Sequence, residues 1–417
     1  MPVDDLLQHL DRSVSPAHST AHAAQKLADA GFVEVPFDRL AKDIPTTGFV
    51  RDGGLLLAWH GNAGPFRIVG AHTDSPTLRL KPRPDAASSG WKQIAVEVYG
   101  GILNNSWLDR DLAVAGRLVL RSGETILVDT VEPVARIPQL AVHLDRDVND
   151  RGLVLDRQAH LTPVWGLGMA NDGEVLEMIS GHQGVRASDV LSHDLVMYDT
   201  TPARVFSDGT LLASGRLDNQ ISCWAATEAL VRTAASGATH SCSVIALFDH
   251  EEVGSESTHG AAGPHLEWLL RRLAGNDASQ FAETEFRDRC VSSMCVSADN
   301  AHSVHPNYPD RHEPGHRPIA NGGPVVKSNA NQRYATTAQT AAAFKRACES
   351  AGVPTQDFVS RNNVPCGSTI GPITSTRLGI PTVDVGVAQL SMHSAREMCG
   401  ARDPELLARS LEAFNRS

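Results

Sequence analysis

Short apolar runs, each stopping at side chains able to bind a metal, constrain this chain more than any other feature of its sequence. Phe66-Arg67-Ile68-Val69-Gly70-Ala71 ends in His72-Thr73-Asp74, and Val244-Ile245-Ala246-Leu247-Phe248 ends in Asp249-His250-Glu251-Glu252. Met294-Cys295-Val296-Ser297-Ala298 ends in Asp299-Asn300, and Pro381-Thr382-Val383-Asp384-Val385 is followed shortly by Met392-His393-Ser394. Continuous apolar runs of this length read as strands buried on both faces. Helical patterns lie between them. Ile221 to Ala235 is one, and Thr336 to Ser350, with Ala343, Phe344 and Ala347 on one face, is another. Asp403-Pro404 caps a last helix whose Leu406, Leu407 and Leu411 face inward. Near the start, Ser15-Pro16 supplies an N-cap and N1 proline to a helix carrying Ala21, Ala24, Leu27 and Ala28 and stopping at Gly31. Strands alternating with helices predict an α/β fold with a mainly parallel sheet.

Residues from 85 to 213 have a different texture. Ile94, Val96 and Val98 recur at every second position, as on a half-buried strand, and Ser122-Gly123 and Ser207-Asp208-Gly209 sit between short apolar pairs as hairpin turns. The expected organisation is a catalytic domain in two parts, 1–84 and 214–417, interrupted by a β-rich insertion over 85–213.

Composition removes several function classes. The chain has 417 residues, 41% hydrophobic and 20% charged, which is globular. No apolar run is long enough to cross a membrane, and the acidic start, Met1-Pro2-Val3-Asp4-Asp5, lacks the apolar core of a secretion signal. A net charge of −11 argues against nucleic acid and anionic membranes as partners. Seven cysteines without a CxxC pair fit a reduced, cytoplasmic protein. More unusual are 18 histidines. Most are expected on the surface; the informative ones follow strands.

In open α/β sheets, functional groups gather outside the carboxyl ends of the strands. That edge would collect His72, Asp74, Glu251, Glu252, Asp299 and His393, with Asp218 at a helix start after the insertion. Each has a bland alternative: a surface histidine, a solvated turn, a helix cap. Their joint placement favours a mixed nitrogen and oxygen site suited to zinc, manganese or cobalt. His250-Glu251-Glu252-Val253-Gly254 lacks the second histidine of HExxH, and no GxSxG elbow, P-loop or GxGxxG fingerprint stands at a strand-to-helix junction.

An ordered set of segments then becomes informative. Gly70 to Pro76, Arg216-Leu217-Asp218-Asn219, Asp249 to Ser255, Ser297 to His302 and Met392 to Met398 occur in sequence, together with Ile137 to Leu144 and Lys327 to Tyr334. The set resembles the aspartyl aminopeptidase family of two-metal peptidases along essentially the whole chain. The resemblance implies one metal on His72 and Asp299, another on Glu252 and His393, and Asp218 bridging. It implies Glu251 as general base, Asp74 orienting His72, and Lys327 and Tyr334 facing the substrate side chain. It further implies two divalent ions, zinc first, peptides with amino-terminal Asp or Glu as substrates, and a tetrahedral dodecamer built from dimers. In that assembly His143 would reach the neighbouring subunit's active site. Competing readings are a related hydrolase of other specificity, such as a deacylase or broad aminopeptidase, and a non-catalytic assembly protein. The retained ligands disfavour the second.

Overall fold

Strand Cys242–Phe248 is buried along its whole length, and its two faces serve different layers. Val244, Ala246 and Phe248 enter one apolar cluster, and Ile245 and Leu247 enter another. The alternation follows from the period of two along a strand. On one side the helices Pro2–Arg12, Pro16–Asp29, Leu217–Ala235, Ala338–Ser350 and Asp403–Asn415 contribute Leu10, Leu27, Trp224, Phe344 and Phe414. On the other, His265–Leu273, Gln280–Ser292 and Ile370–Leu378 contribute Leu269, Leu270, Phe286 and Ile370. Each such side chain stabilises the layer by roughly 1.5–3 kcal/mol when fully buried, so the strand runs carry apolar residues on both faces. This computed structural model describes residues 2–37, 44–237, 240–275 and 280–417.

Among the described residues the main sheet has nine strands, in the order Val33–Glu34, Thr47–Asp52, Leu55–His60, Cys242–Phe248, Phe66–His72, Met294–Ala298, Thr382–Gly386, Val325–Ser328, Gln356–Val359. The strands at 242–248, 66–72, 294–298 and 382–386 are adjacent and parallel, which is the expected α/β core. Their register sets Phe248 beside His72, Ser297 beside Gly70 and Ala298 beside Val385, so their carboxyl ends reach one edge together. Antiparallel partners, Leu55–His60 and Val325–Ser328, flank this core.

A second sheet is antiparallel throughout and has six strands, in the order Thr125–Asp129, Leu112–Leu120, Val190–Asp199, Thr77–Ser88, Trp91–Tyr99, Val164–Leu167. Leu112, Val114 and Leu118 face its own core with Leu80, Ile94 and Met197, covered by Val175 and Ile179 of helix Glu174–Gly181. The intervening Ala113 and Ala115 pack on Val14 and Tyr198, at the junction with the N-terminal helices. The turn at Ser122-Gly123 forms as read, as does the hairpin of Arg204–Phe206 with Leu211–Ser214. That second hairpin, however, pairs with Glu397–Gly400 in a third sheet that also holds Ala388–Leu390 and Ala301–His302. Strand Thr77–Ser88, in turn, runs across position 84. We therefore propose Thr77 to Asp199 as the extent of the insertion, in place of 85–213. Alternation identifies a strand but not the sheet edge that accepts it.

Smaller features also differ from the sequence reading. The N-cap Ser15 accepts from the His18 N–H as expected, but the buried residues of that helix are Ser19, Thr20, Ala23, Ala24 and Leu27, with Ala28 exposed. Asp403 does not cap the last helix, whose N-cap position is Arg402. Its carboxylate instead accepts the N–H of Asn321 at 2.6 Å and of Gly323 at 2.9 Å, tying this helix to the segment that leads to Lys327. The cysteines are free, all buried except the half-buried Cys366. No helix among the described residues is long and apolar enough to cross a membrane.

Candidate metal centre

His72 closes its strand with Nε2 3.4 Å from Asp218 Oδ1, 3.7 Å from Asp299 Oδ1 and 4.0 Å from Glu251 Oε2. His393 Nε2 lies 3.7 Å from Asp218 Oδ2 and 3.4 Å from Glu252 Oε2. The two oxygens of Asp218 therefore face different imidazoles. Ligand atoms of His72, Asp218 and Asp299 lie within 4.8 Å of one another, and so do those of Asp218, Glu252 and His393. Asp218 Oδ1 and Glu252 Oε1 are buried with no hydrogen-bond partner. Orphaned acceptors of this kind are uncommon and call for a cation or a donor. With imidazole and carboxylate donors and no thiolate, the set fits divalent zinc, manganese or cobalt.

Local backbone shape presents these groups. Asp218 sits at the start of helix Leu217–Ala235 with non-helical φ −83° and ψ 105°, two residues after Arg216 at φ +59°. His250 and His393 are also left-handed, at φ +64° and +67°. Such conformations cost about 1–3 kcal/mol each and persist only where the surroundings impose them.

Asp74 imposes one of them. Its Oδ1 and Oδ2 accept the N–H groups of Glu251 at 3.1 Å and Glu252 at 3.0 Å, and the Tyr99 hydroxyl donates to Oδ2 at 2.7 Å. His72 Nδ1 lies 3.4 Å from Asp74 Oδ1 and 3.0 Å from the Asp74 carbonyl, which leaves Nε2 toward the cleft. Burial works to raise the Asp74 pKa, but hydrogen bonds from His72 and Tyr99 hold it below the usual carboxylate range. On the other side, His393 Nδ1 lies 3.0 Å from the Gly101 carbonyl. Glycine suits the close approach there: a Cβ on Gly100, at φ +71°, would stand 3.1 Å from Glu252 Cβ, and one on Gly101 would stand 3.3 Å from His393 Nδ1.

The charges are strongly perturbed. Burial, with Asp299, Asp74 and Asp218 nearby, pushes Glu251 up to about 8 against the opposing effect of His72. Burial and Asp218 push Glu252 well above its ordinary value. Burial works to lower His72, yet Asp218, Asp299 and Asp74 together raise it well above the usual histidine range. Asp299 goes the other way: burial would raise it, but the Lys327 ammonium and His72 hold it far below the carboxylate range.

Lys327 is 1% exposed, so it is not a solvated lysine. Its Nζ donates to Asp299 Oδ2 and to the Asn300 carbonyl, each at 3.2 Å, and lies 5.0 Å from the centroid of the Tyr334 ring. Asp218, Glu251, Glu252, Asp299, Lys327, Tyr334 and His393 line one cleft of about 460 Å³. His143 is not among its lining residues; it is exposed on the segment after Ile137. Sequence reasoning did not assign Tyr99 or the Gly101 carbonyl, although the Gly100-Gly101 pair directly after a strand pattern signals a close approach of backbone to another group.

A cleft of this composition at the carboxyl edge of a parallel sheet defines a metallohydrolase. A family model described as "Aminopeptidase I zinc metalloprotease (M18)" matches residues 9–415, and the chain belongs to that family of metal-dependent aminopeptidases. A Streptomyces coelicolor protein described as a probable M18 family aminopeptidase 2 is 50% identical over 423 residues, covering 99% of this chain and 96% of the relative. A Mycobacterium leprae protein of the same description is 47% identical, covering 98% and 97%. Among solved structures, the cryo-EM structure of the Ape4 and Nbr1 complex superposes with a TM-score of 0.93 at 32% identity, covering 100% of this chain and 85% of that one. The S. cerevesiae mApe1 dodecamer gives 0.85 at 26% identity, covering 99% and 95%.

Asp74 carries a prediction. Asparagine keeps its size but offers one acceptor oxygen in place of two, so Asp74→Asn should lower zinc retention or kcat/KM by about 10–100-fold, as loss of ligand-orienting partners does elsewhere. Metal analysis after dialysis and peptide hydrolysis check it; unchanged values for both would show that the Glu251-Glu252 turn holds without this carboxylate.

Proposed function

We propose that this enzyme removes amino-terminal Asp or Glu from peptides at a centre holding two divalent ions, with zinc the first choice. The observation that carries the two-ion reading is the division of Asp218, whose oxygens face the His72–Asp299 pair on one side and the Glu252–His393 pair on the other. Asp218 would bridge, and each pair would complete one site. Ions in such sites polarise the scissile carbonyl and lower the pKa of water.

The remaining work belongs to the protein. Glu251, in the wall of the cleft with its Oε2 4.0 Å from His72 Nε2, takes the proton of the attacking water and returns it to the leaving amine. Asp74 fixes Glu251 and Glu252 through their own N–H groups, so that neighbouring carboxylates can serve different ends. Glu251→Gln keeps shape and polarity but cannot accept the proton. It should retain wild-type zinc content while losing roughly 10²–10⁴-fold in kcat, measured on peptides beginning with Asp, Glu, Leu and Lys before and after chelation. Near-normal turnover in the metal-loaded variant would remove Glu251 from the mechanism.

The acidic preference rests on Lys327, a buried ammonium in the wall of a cleft otherwise rich in carboxylates. Its pairing with Asp299 gives it a second duty at the centre, so the informative quantity is a ratio. In Lys327→Met, kcat/KM for an amino-terminal Asp substrate relative to a Leu substrate should fall more than about tenfold, the scale of a lost buried charge partner, whatever loss both share. An unchanged ratio would confine Lys327 to supporting Asp299. Tyr334, beside it, is proposed to donate a hydrogen bond to the substrate.

We also propose a homo-oligomer, a tetrahedral dodecamer built from dimers, in the cytoplasm. The S. cerevesiae relative is a dodecamer. Here Leu140, Val142 and Leu144 are 64%, 50% and 75% exposed around His143, an apolar segment suited to covering by a second copy. His143 would then reach the partner's cleft and stabilise the developing oxyanion. Mixing inactive His143→Ala and Glu251→Gln subunits should restore part of the activity, because a mixed dimer assembles one complete cleft. Mixed dimers that form without activity would rule out the role in trans.

A further inference from the structure

We propose that Glu397 is a positioning residue that, with Gln389 and Asn300, fixes the bridging ligand relative to both half-sites. The proposal rests on the two-ion reading above and extends it to residues that make no contact with an ion in that reading.

Glu397 opens the strand Glu397–Gly400 of the third sheet and is 2% exposed. Its Oε2 accepts the Asp218 N–H at 2.9 Å, and its Oε1 accepts the His393 N–H at 2.7 Å and Gln389 Nε2 at 3.3 Å. Gln389 Oε1 accepts in turn from Asn300 Nδ2 at 2.9 Å, and the same nitrogen donates to the Leu217 carbonyl at 2.8 Å. Asn300 directly follows Asp299. All three side chains are almost wholly buried. One continuous polar chain thus joins the backbone at Asp218 to that at His393 and at Asp299: the bridging ligand and one ligand of each half-site.

The chemistry demands a carboxylate at its head. The two amides it holds belong to residues in unusual conformations, His393 at φ +67° and Asp218 outside helical angles. Both need an acceptor, and a carboxylate presents acceptors on both oxygens and no competing donor. Glutamine would turn an N–H₂ toward one of these amides. The ligand set then has two separate anchors. Asp74 holds His72, Glu251 and Glu252, while Glu397 holds Asp218 and His393 and reaches Asp299 through Gln389 and Asn300. The third sheet acquires a purpose from this: pairing of Ser214 with Glu397, and of Gln389 with Cys399, keeps the head and middle of the chain in register just before Asp218.

The experiment uses the full chain, stripped of metal and titrated with zinc against a chromophoric chelator. Wild type should take up two ions. Glu397→Gln should weaken one of the two by about 10–100-fold, the usual scale for partners behind a ligand, and lower kcat with KM nearly unchanged, activity recovering at high zinc. Gln389→Met leaves both amide contacts of Glu397 in place and should show a smaller loss of the same kind, which keeps the test open if Glu397→Gln folds poorly. Two ions held at wild-type affinity in folded Gln389→Met and Glu397→Gln would overturn the positioning role. A wild-type protein that binds a single ion would overturn the two-ion reading itself, and the proposal with it.

Discussion

The carboxylates of Asp74, Asp218, Glu251, Glu252, Asp299 and Glu397 crowd around His72 and His393, with the Lys327 ammonium against Asp299, and their mutual repulsion is the constraint that the surrounding structure answers. Where specific donors converge, the charge is held: Asp74 through His72 and Tyr99, and Asp299 through Lys327 and His72. Where they do not suffice, burial and like charge win, and Glu251 and Glu252 are both raised. Binding of divalent ions at such a site exchanges protons for cations, because ligand carboxylates and imidazoles must shed their protons to bind metal. The orphaned oxygens on Asp218 and Glu252 mark where such exchange is least opposed by existing hydrogen bonds.

No single sheet could assemble this group. The main sheet brings His72, Glu251, Glu252 and Asp299 to one edge because its central strands are parallel and in register there. His393 arrives from the connection between two strands of the third sheet, and Asp218 from the helix that begins just after that sheet's hairpin. The centre therefore lies on a seam. Side chains that cross it, such as Glu397 and Asn300, matter more to its geometry than their distance from the cleft suggests. An error of one residue in the pairing of Leu211–Ser214 with Glu397–Gly400 would turn Glu397 to the opposite face of its strand.

Much of this was legible in the sequence, for identifiable reasons. Strands buried on both faces show as continuous apolar runs, and the residues ending them are placed by the rule that ligand sites gather at the carboxyl edge. That is why His72, Glu251, Glu252, Asp299 and His393 could be named together, with Asp218 at a helix start beside them, and the ordered segments supplied the bridging role of Asp218. What stayed hidden depended on backbone hydrogen bonds between distant segments. Glu397 stands within a recognisable segment, yet its partner amide at Asp218 lies 179 positions away. Asp403 carries the pattern of a helix start but serves Asn321 and Gly323. The hairpin at 204–214 has the alternation of the insertion and belongs to another sheet. Lys327 could be placed in the cleft by resemblance, but its ion pair with Asp299 is a fact of packing.

The insertion has a closer relation to the chemistry than a role in assembly alone would give it. Its strand Trp91–Tyr99 ends at the centre, and the three residues from 99 to 101 touch both imidazole systems. Tyr99 donates to Asp74, the carboxylate that orients His72, and the Gly101 carbonyl accepts from Nδ1 of His393. An accepting carbonyl holds the proton on Nδ1 and directs Nε2 at Asp218 and Glu252. The orientation of one histidine is thus set directly by the insertion and that of the other at one remove. Seating of the antiparallel sheet on the α/β core, through Ala113 and Ala115 against Val14 and Tyr198, is then a condition for a correctly aimed ligand set. A metal centre built this way is complete only when the insertion is docked, even though none of the residues that would bind the ions lies in the insertion.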